Sequence, residues 1–210
     1  MDVWTYLPGF IAAYSILFVA ASSPGPAVAM LLGISLTQGR RAALTASVGI
    51  ASGSVVLNVL TLLGVGLLLS QVAWTMTILR VLGGAYLLYL AWGAFRKALH
   101  PPAVAAAEVP TQSFARLFAA GFLLQVTNPK AIVFWIAINA IGATTGGGPV
   151  AIAIYLFGAF LISFACHGAW GILLSAGQFR RLYARARRGV EATLGVFFAF
   201  AAFKLVTSRS

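Results

Sequence analysis

The sequence predicts an all-α, polytopic membrane protein of six transmembrane helices. Three observations carry that prediction. Hydrophobic residues make up 61% of the chain and charged residues 8%, against about 25% charged in a soluble domain. Mean hydropathy is +0.97. The apolar residues form long continuous runs, where a membrane β-barrel would show alternating segments of about ten residues. A spanning helix takes about 20 apolar residues, so a chain of 210 residues holds six with short connections.

The first segment, residues 4–36, would be about 50 Å long as one helix, against a hydrocarbon core of about 30 Å. It is interrupted by Ser22-Ser23-Pro24-Gly25-Pro26, and proline ends or kinks a helix by removing a donor and clashing with the preceding turn. Asp2 and the lack of early Lys or Arg argue against a signal peptide, which begins with a positive region. The second segment, 42–69, carries Gly49-xxx-Gly53, a small-residue pattern for close helix packing, with Ser54 and Asn58 four apart on one face. The third, 79–99, has Arg80 at its outer, interfacial start. The fourth, 114–141, is broken at Thr127-Asn128-Pro129-Lys130. The fifth, 149–176, holds Cys166 and His167, which point apart as helix neighbours and form no dyad. As the single cysteine, Cys166 has no disulfide partner and reads as a buried thiol. The sixth, 190–206, ends near Lys204, which can snorkel.

The formal charge of +11 does not point to nucleic acid, because the basic residues flank apolar segments and form no basic domain. Ten of the fourteen fall in the first, third and fifth loops, as Arg40, Arg41, Arg96, Lys97, Arg116, Arg180, Arg181, Arg185, Arg187 and Arg188. The positive-inside rule puts those loops in the cytoplasm and both termini outside. Trp4, Tyr6 and Trp74 then suit the outer aromatic belt, and Trp92 and Tyr183 the inner one.

Three segments per half give halves of opposite orientation: 1–99, then a cytoplasmic linker 100–113, then 114–210. Ser23-Pro24-Gly25-Pro26 aligns with Asn128-Pro129-Lys130-Ala131 at an offset of 105 residues, and Gly49 and Ser54 align with Gly158 and Ser163 at 109. The expected architecture is a 3+3 inverted-topology repeat with broken helices one and four. In such transporters the substrate site lies at the midplane, where the discontinuous helices meet.

Asn128 is a good N-cap and Pro129 suits the first helical position. Each break starts a half-helix whose first amides lack partners and whose dipole is positive there. Lys130 adds a full charge. The expected substrate site comprises Pro24, Gly25, Pro26, Ser54, Asn58, Gln125, Asn128, Pro129 and Lys130, recognising a carboxylate. His167 is the candidate for ion coupling, because intramembrane ionisable groups are functional by default.

The Ser23-Pro24-Gly25-Pro26 turn, Gly39-Arg40-Arg41, Gly49-xxx-Gly53, Gly84-Ala85-Tyr86-Leu87-Leu88-Tyr89-Leu90 and Asn128-Pro129-Lys130 resemble the LysE/RhtB family of bacterial amino-acid exporters along the whole chain. The resemblance implies a secondary transporter in the bacterial inner membrane. It would export amino acids or their derivatives from the cytoplasm, by alternating access and coupled to an ion gradient. It also marks two departures: Ser54 and His167 stand where relatives often carry acids. The expected partners are a small-molecule substrate and membrane lipid, with a proton as coupling ion and homo-oligomerisation left open; no nucleic acid, cofactor or metal is expected. A non-transporting scaffold or partner subunit is the alternative. An integral membrane enzyme is disfavoured, since the chain has two histidines, no HExxH and no paired acids.

Overall fold

The computed structural model describes residues 3–71, 75–100 and 112–207. Every regular element among them is helical. A 3-10 turn, Val3–Tyr6, leads into α1 (Leu7–Ser22), α2 (Pro26–Thr37), α3 (Gly39–Gln71) and α4 (Thr75–Leu99). Then follow α5 (Phe114–Val126), α6 (Pro129–Asn139), α7 (Pro149–Ser175) and α8 (Gly177–Thr207). The first predicted segment is therefore α1 and α2, bent by 52° at the Ser23-Pro24-Gly25 break, and the fourth is α5 and α6, bent by 60° at Thr127-Asn128. Among the described residues, the stretches Gly39–Gly64 and Pro149–Ser175 are each long and apolar enough to cross a membrane, and each bent pair qualifies when taken together.

Two stretches expected as loops are helical. Arg40 and Arg41 lie in the first turn of α3, after Gly39, whose φ of +79° makes the turn from α2. Arg180 to Arg188 lie in α8, which runs on for 31 residues, about 46 Å, where about 20 residues suffice to span. Arginine and alanine are good helix formers, so nothing in Ala184-Arg185-Ala186-Arg187 stops the helix outside the membrane. Of the linker, Gln112 donates its backbone N–H to Gln38 Oε1 at 2.9 Å, and Ser113 caps α5 through the amide of Arg116. The side chains of Trp4, Trp74, Arg80 and Lys204 lie outside the described residues.

Contacts group the helices into two compact units, each drawing on both halves of the sequence. Unit one contains α1, α2, most of α3, α5, α6 and α7; unit two contains α4 and α8. Unit one has two apolar clusters. In one, Phe10, Leu17, Leu57, Trp135, Ile138 and Tyr155 meet from α1, α3, α6 and α7. In the other, Ala27, Leu31, Ile34, Ala43, Ala46, Ile50 and Leu117 meet from α2, α3 and α5. Helices α3 and α5 cross with backbones touching: a Cβ on Gly49 would overlap Phe118 O, and one on Gly121 would overlap Ala46 O. The Gly49-xxx-Gly53 pattern is thus a packing device. On α7 the apolar residues Val150, Ile154, Phe157 and Leu161 face outward, a stripe that a lipid surround leaves no reason to bury.

In unit two, Leu87, Ala91 and Ala94 of α4 and Phe198 and Ala202 of α8 are buried, and the Phe95 ring lies against Gly195. Glu191, the one acid among the described residues, is 2% exposed, with Oε1 3.9 Å from Arg187 Nε one turn earlier. The Arg96 guanidinium lies over the Trp92 ring at 5.6 Å, a cation–π contact.

Candidate functional site

Both helix breaks of unit one open onto one space. At the first, Ser23 takes an extended conformation (φ −76°, ψ 135°) and donates its amide to Val19 O. Its Oγ donates to Ala20 O at 2.8 Å. Helix α2 restarts with Gly25 as N-cap, which has no side chain to cap with, and Pro26 follows in the first turn. The amides of Ala27 and Val28 therefore have no intrahelical acceptor and hold the positive end of the dipole. At the second break, Asn128 Oδ1 accepts from Lys130 N at 3.1 Å and Pro129 opens α6. The two ends were expected as a matched pair, and they differ. Helix α6 is closed by its own Asn128, while α2 is open.

Lys130 reaches from the second break to the first. Its Nζ donates to Ser23 O at 3.1 Å and also contacts Ser23 Oγ. It passes close to Gly25, where an added Cβ would stand in ordinary contact, 3.6 Å from Nζ. Trp170 of α7 holds the first break from another side, donating Nε1–H to Ser22 O at 3.2 Å.

Between these groups lies a cavity with about 40 Å³ of room for water centres, enough for about three waters. One side is polar. Gln125 Nε2 donates to Ser54 Oγ at 2.7 Å, and Ser163 Oγ donates to the same oxygen at 3.2 Å. His167 Nδ1 is 2.8 Å from Ser163 O; a carbonyl only accepts, so Nδ1 carries the proton. The other side is apolar, formed by Leu17, Phe134, Trp135 and Ile138.

A family model described as LysE type translocator matches residues 18–209. The chain belongs to the LysE family. That family is one of transporters, not enzymes. This LysE chain is 29% identical over 206 residues to a threonine efflux protein of Escherichia coli, covering 95% of this chain and 98% of the relative. A leucine efflux protein of Salmonella choleraesuis is 29% identical over 216 residues, covering 100% of this chain and 97% of that one. An uncharacterized membrane protein of Pseudomonas aeruginosa is 33% identical over 219 residues, covering 99% and 95%. No solved structure matches the chain.

Of the residues expected at the site of this LysE-family chain, Gly25, Pro26, Ser54, Gln125, Asn128, Lys130 and His167 line the cavity. Pro24 and Pro129 shape the breaks without being among its lining. Asn58 goes elsewhere. It is fully buried and joins a second polar knot, in which Asn139 Nδ2 donates to Asn58 O (3.2 Å), Asn58 Oδ1 (3.1 Å) and Thr61 Oγ1 (2.8 Å). Tyr155 OH donates to Asn139 Oδ1 at 3.0 Å, and the Tyr155 ring stacks on Phe10 and Tyr14. Sequence reasoning missed Ser23, Trp135 and Ser163 as lining residues. The repeat alignment contained the signal for Ser163, by matching it to Ser54.

Proposed function

We propose that this protein exports amino acids or amino-acid derivatives from the cytoplasm by alternating access, and that the cavity between the two helix breaks is its substrate site. The observation that carries the reading is the meeting of the open N-terminus of α2 with the Lys130 ammonium at a cavity wall. Free amides, a helix dipole and a lysine together favour a carboxylate. The threonine and leucine efflux proteins among the relatives suggest amino-acid chemistry. Both apolar clusters reach the cavity, one through Leu17, Trp135 and Ile138 and the other through Ala27, and they suit two gates, of which one opens at a time.

The proposed architecture is six spans in the bacterial inner membrane, with α4 and α8 completing the four of unit one, both termini outside, and two halves of opposite orientation. Two contacts support that repeat. Ser54 and Ser163, matched at the offset of 109, bond to each other. Lys130, matched to Gly25 at 105, reaches back to the first break and donates to Ser23 O. Residues related by a two-fold axis meet only where they lie on it.

The test is efflux from cells loaded with amino acids or dipeptides. Lys130→Ala removes the charge that meets the carboxylate, worth about 1.5–3 kcal/mol, so apparent affinity should fall about tenfold to a hundredfold. If Lys130→Ala reaches the membrane at the parent level and exports as fast as the parent, the site is wrongly assigned.

A further inference from the structure

His167 has one ring nitrogen whose hydrogen bond the fold supplies and one whose bond it does not. The residue sits on α7 and is 5% exposed. Nδ1–H donates back to Ser163 O at 2.8 Å within the same helix. In the neutral ring the lone pair is then on Nε2, away from that carbonyl. Among the described residues none bonds Nε2. The ring lines the cavity between the helix breaks, so a nitrogen base without a protein donor stands at the wall of an internal space. A buried acceptor left in that condition costs free energy, and an N–H on a ligand would supply the missing bond.

An amino acid carries its ammonium one carbon away from its carboxylate, so both ends fall inside one small cavity. The open end of α2 and Lys130 draw the carboxylate. No acid is found among the described lining residues, so neutral acceptors must meet the ammonium. The lining offers three kinds. Carbonyls at the breaks keep a second lone pair beside the bonds they already accept. Gln125 has its Oε1, since its Nε2 is given to Ser54 Oγ. His167 has Nε2. An imidazole nitrogen is a far stronger base than an amide oxygen. The bond from Nδ1–H to Ser163 O also orients the ring and raises the basicity of the other nitrogen. The three protons of an ammonium can be shared among ring, amide and carbonyl, with the ring as the strongest acceptor.

We propose that His167 reads the α-amino group of the substrate, accepting an ammonium N–H on Nε2 while the Ser163 carbonyl holds the ring from behind. The inference rests on the cavity being the substrate site. It makes His167 a selectivity residue, which separates an amino acid from a carboxylate of the same shape that lacks the amino group.

Counterflow in proteoliposomes of the full-length protein first finds, among free amino acids including threonine and leucine, one that the parent exchanges. Inhibition of that exchange is then measured for the amino acid and for the same molecule with hydrogen in place of the α-amino group. The parent is expected to bind the amino acid about tenfold or more tighter. His167→Gln can set an amide oxygen where Nε2 stood and should keep most of that preference. His167→Asn carries the same amide one methylene shorter and should erase most of it, by weakening the amino acid while its deaminated partner is unchanged. A merely structural role for the ring would move both compounds together. A second readout leaves His167 intact: with histidine labelled by nitrogen-15, the His167 Nε2 resonance should shift with the amino acid and stay put with the deaminated partner, His100 serving as control. The proposal is overturned, and the exporter reading stands, if the parent shows no preference, if the Asn and Gln variants behave alike, or if the Nε2 resonance does not respond. If no free amino acid exchanges through the parent, the exporter reading fails and takes this one with it.

Discussion

Gly53→Ala tests how closely the site depends on the crossing of α3 and α5. A Cβ at Gly53 would stand 2.9 Å from both Phe122 O and Gln125 Cβ, and 3.3 Å from Gln125 Cγ. Ordinary contact begins near about 3.4 Å, so something must move by roughly 0.5 Å. The obstacle is the backbone of α5 and the root of Gln125, and neither can swing away as a chain tip can. Overpacking of this kind costs about 1–3 kcal/mol. The same shift carries the Gln125 Nε2–Ser54 Oγ bond from 2.7 Å to about 3.2 Å, the edge of the useful range, at a further cost of about 1 kcal/mol. Thermal unfolding of the purified protein should therefore occur several degrees lower, and apparent transport affinity should fall about fivefold. Gly49→Ala, one turn away, should cost more stability, because a Cβ there overlaps Phe118 O more deeply, with a smaller effect on affinity, because it meets Phe118 and Phe122 backbone and not Gln125. A Gly53→Ala protein that unfolds and transports like the parent would refute the close crossing.

Further predictions concern the polar bonds around the cavity. Asn139→Leu removes the two N–H donors that three acceptors share and strands the hydroxyl of the buried Tyr155, so it should destabilise by about 2–4 kcal/mol, read as lower folded yield and melting temperature. Tyr155→Phe removes one bond from the same knot and should lose about 1 kcal/mol by the same measurement. Trp170→Phe keeps an aromatic side chain but loses the indole N–H bond to Ser22 O and part of the ring's packing; it should slow efflux and lower stability by about 1 kcal/mol or more.

The helix breaks were legible because their causes are local. Pro24, Pro26 and Pro129 cannot continue a helix, and Asn128 caps the next one from its own position, so sequence neighbours suffice. The placing of Ser54 beside Gln125 was legible in part, since Gly49 and Gly53 mark the face of α3 that another helix approaches. Asn58 shows where that logic ends. It shares a face with Ser54, four residues on, yet its partner Asn139 arrives from α6, held in turn by Tyr155 of α7, and no periodicity within α3 signals them. The inequality of the two helix ends was also hidden. It depends on a side chain that Gly25 lacks and on where Lys130 extends across 107 residues of chain. The arginines of α8 misled through their charge: they read as a loop at the membrane face, but a helix tolerates them well outside the bilayer.

The pairing of Ser54 with Ser163 has a mechanical consequence. Under the proposed repeat, switching from inward to outward access amounts to the two halves trading conformations. A contact between a residue and its own counterpart is mapped onto itself by that trade. The Ser54–Ser163 bond therefore needs no breaking as the gates alternate, and it can act as the stationary pin of a rocker, with the substrate held beside the point that moves least.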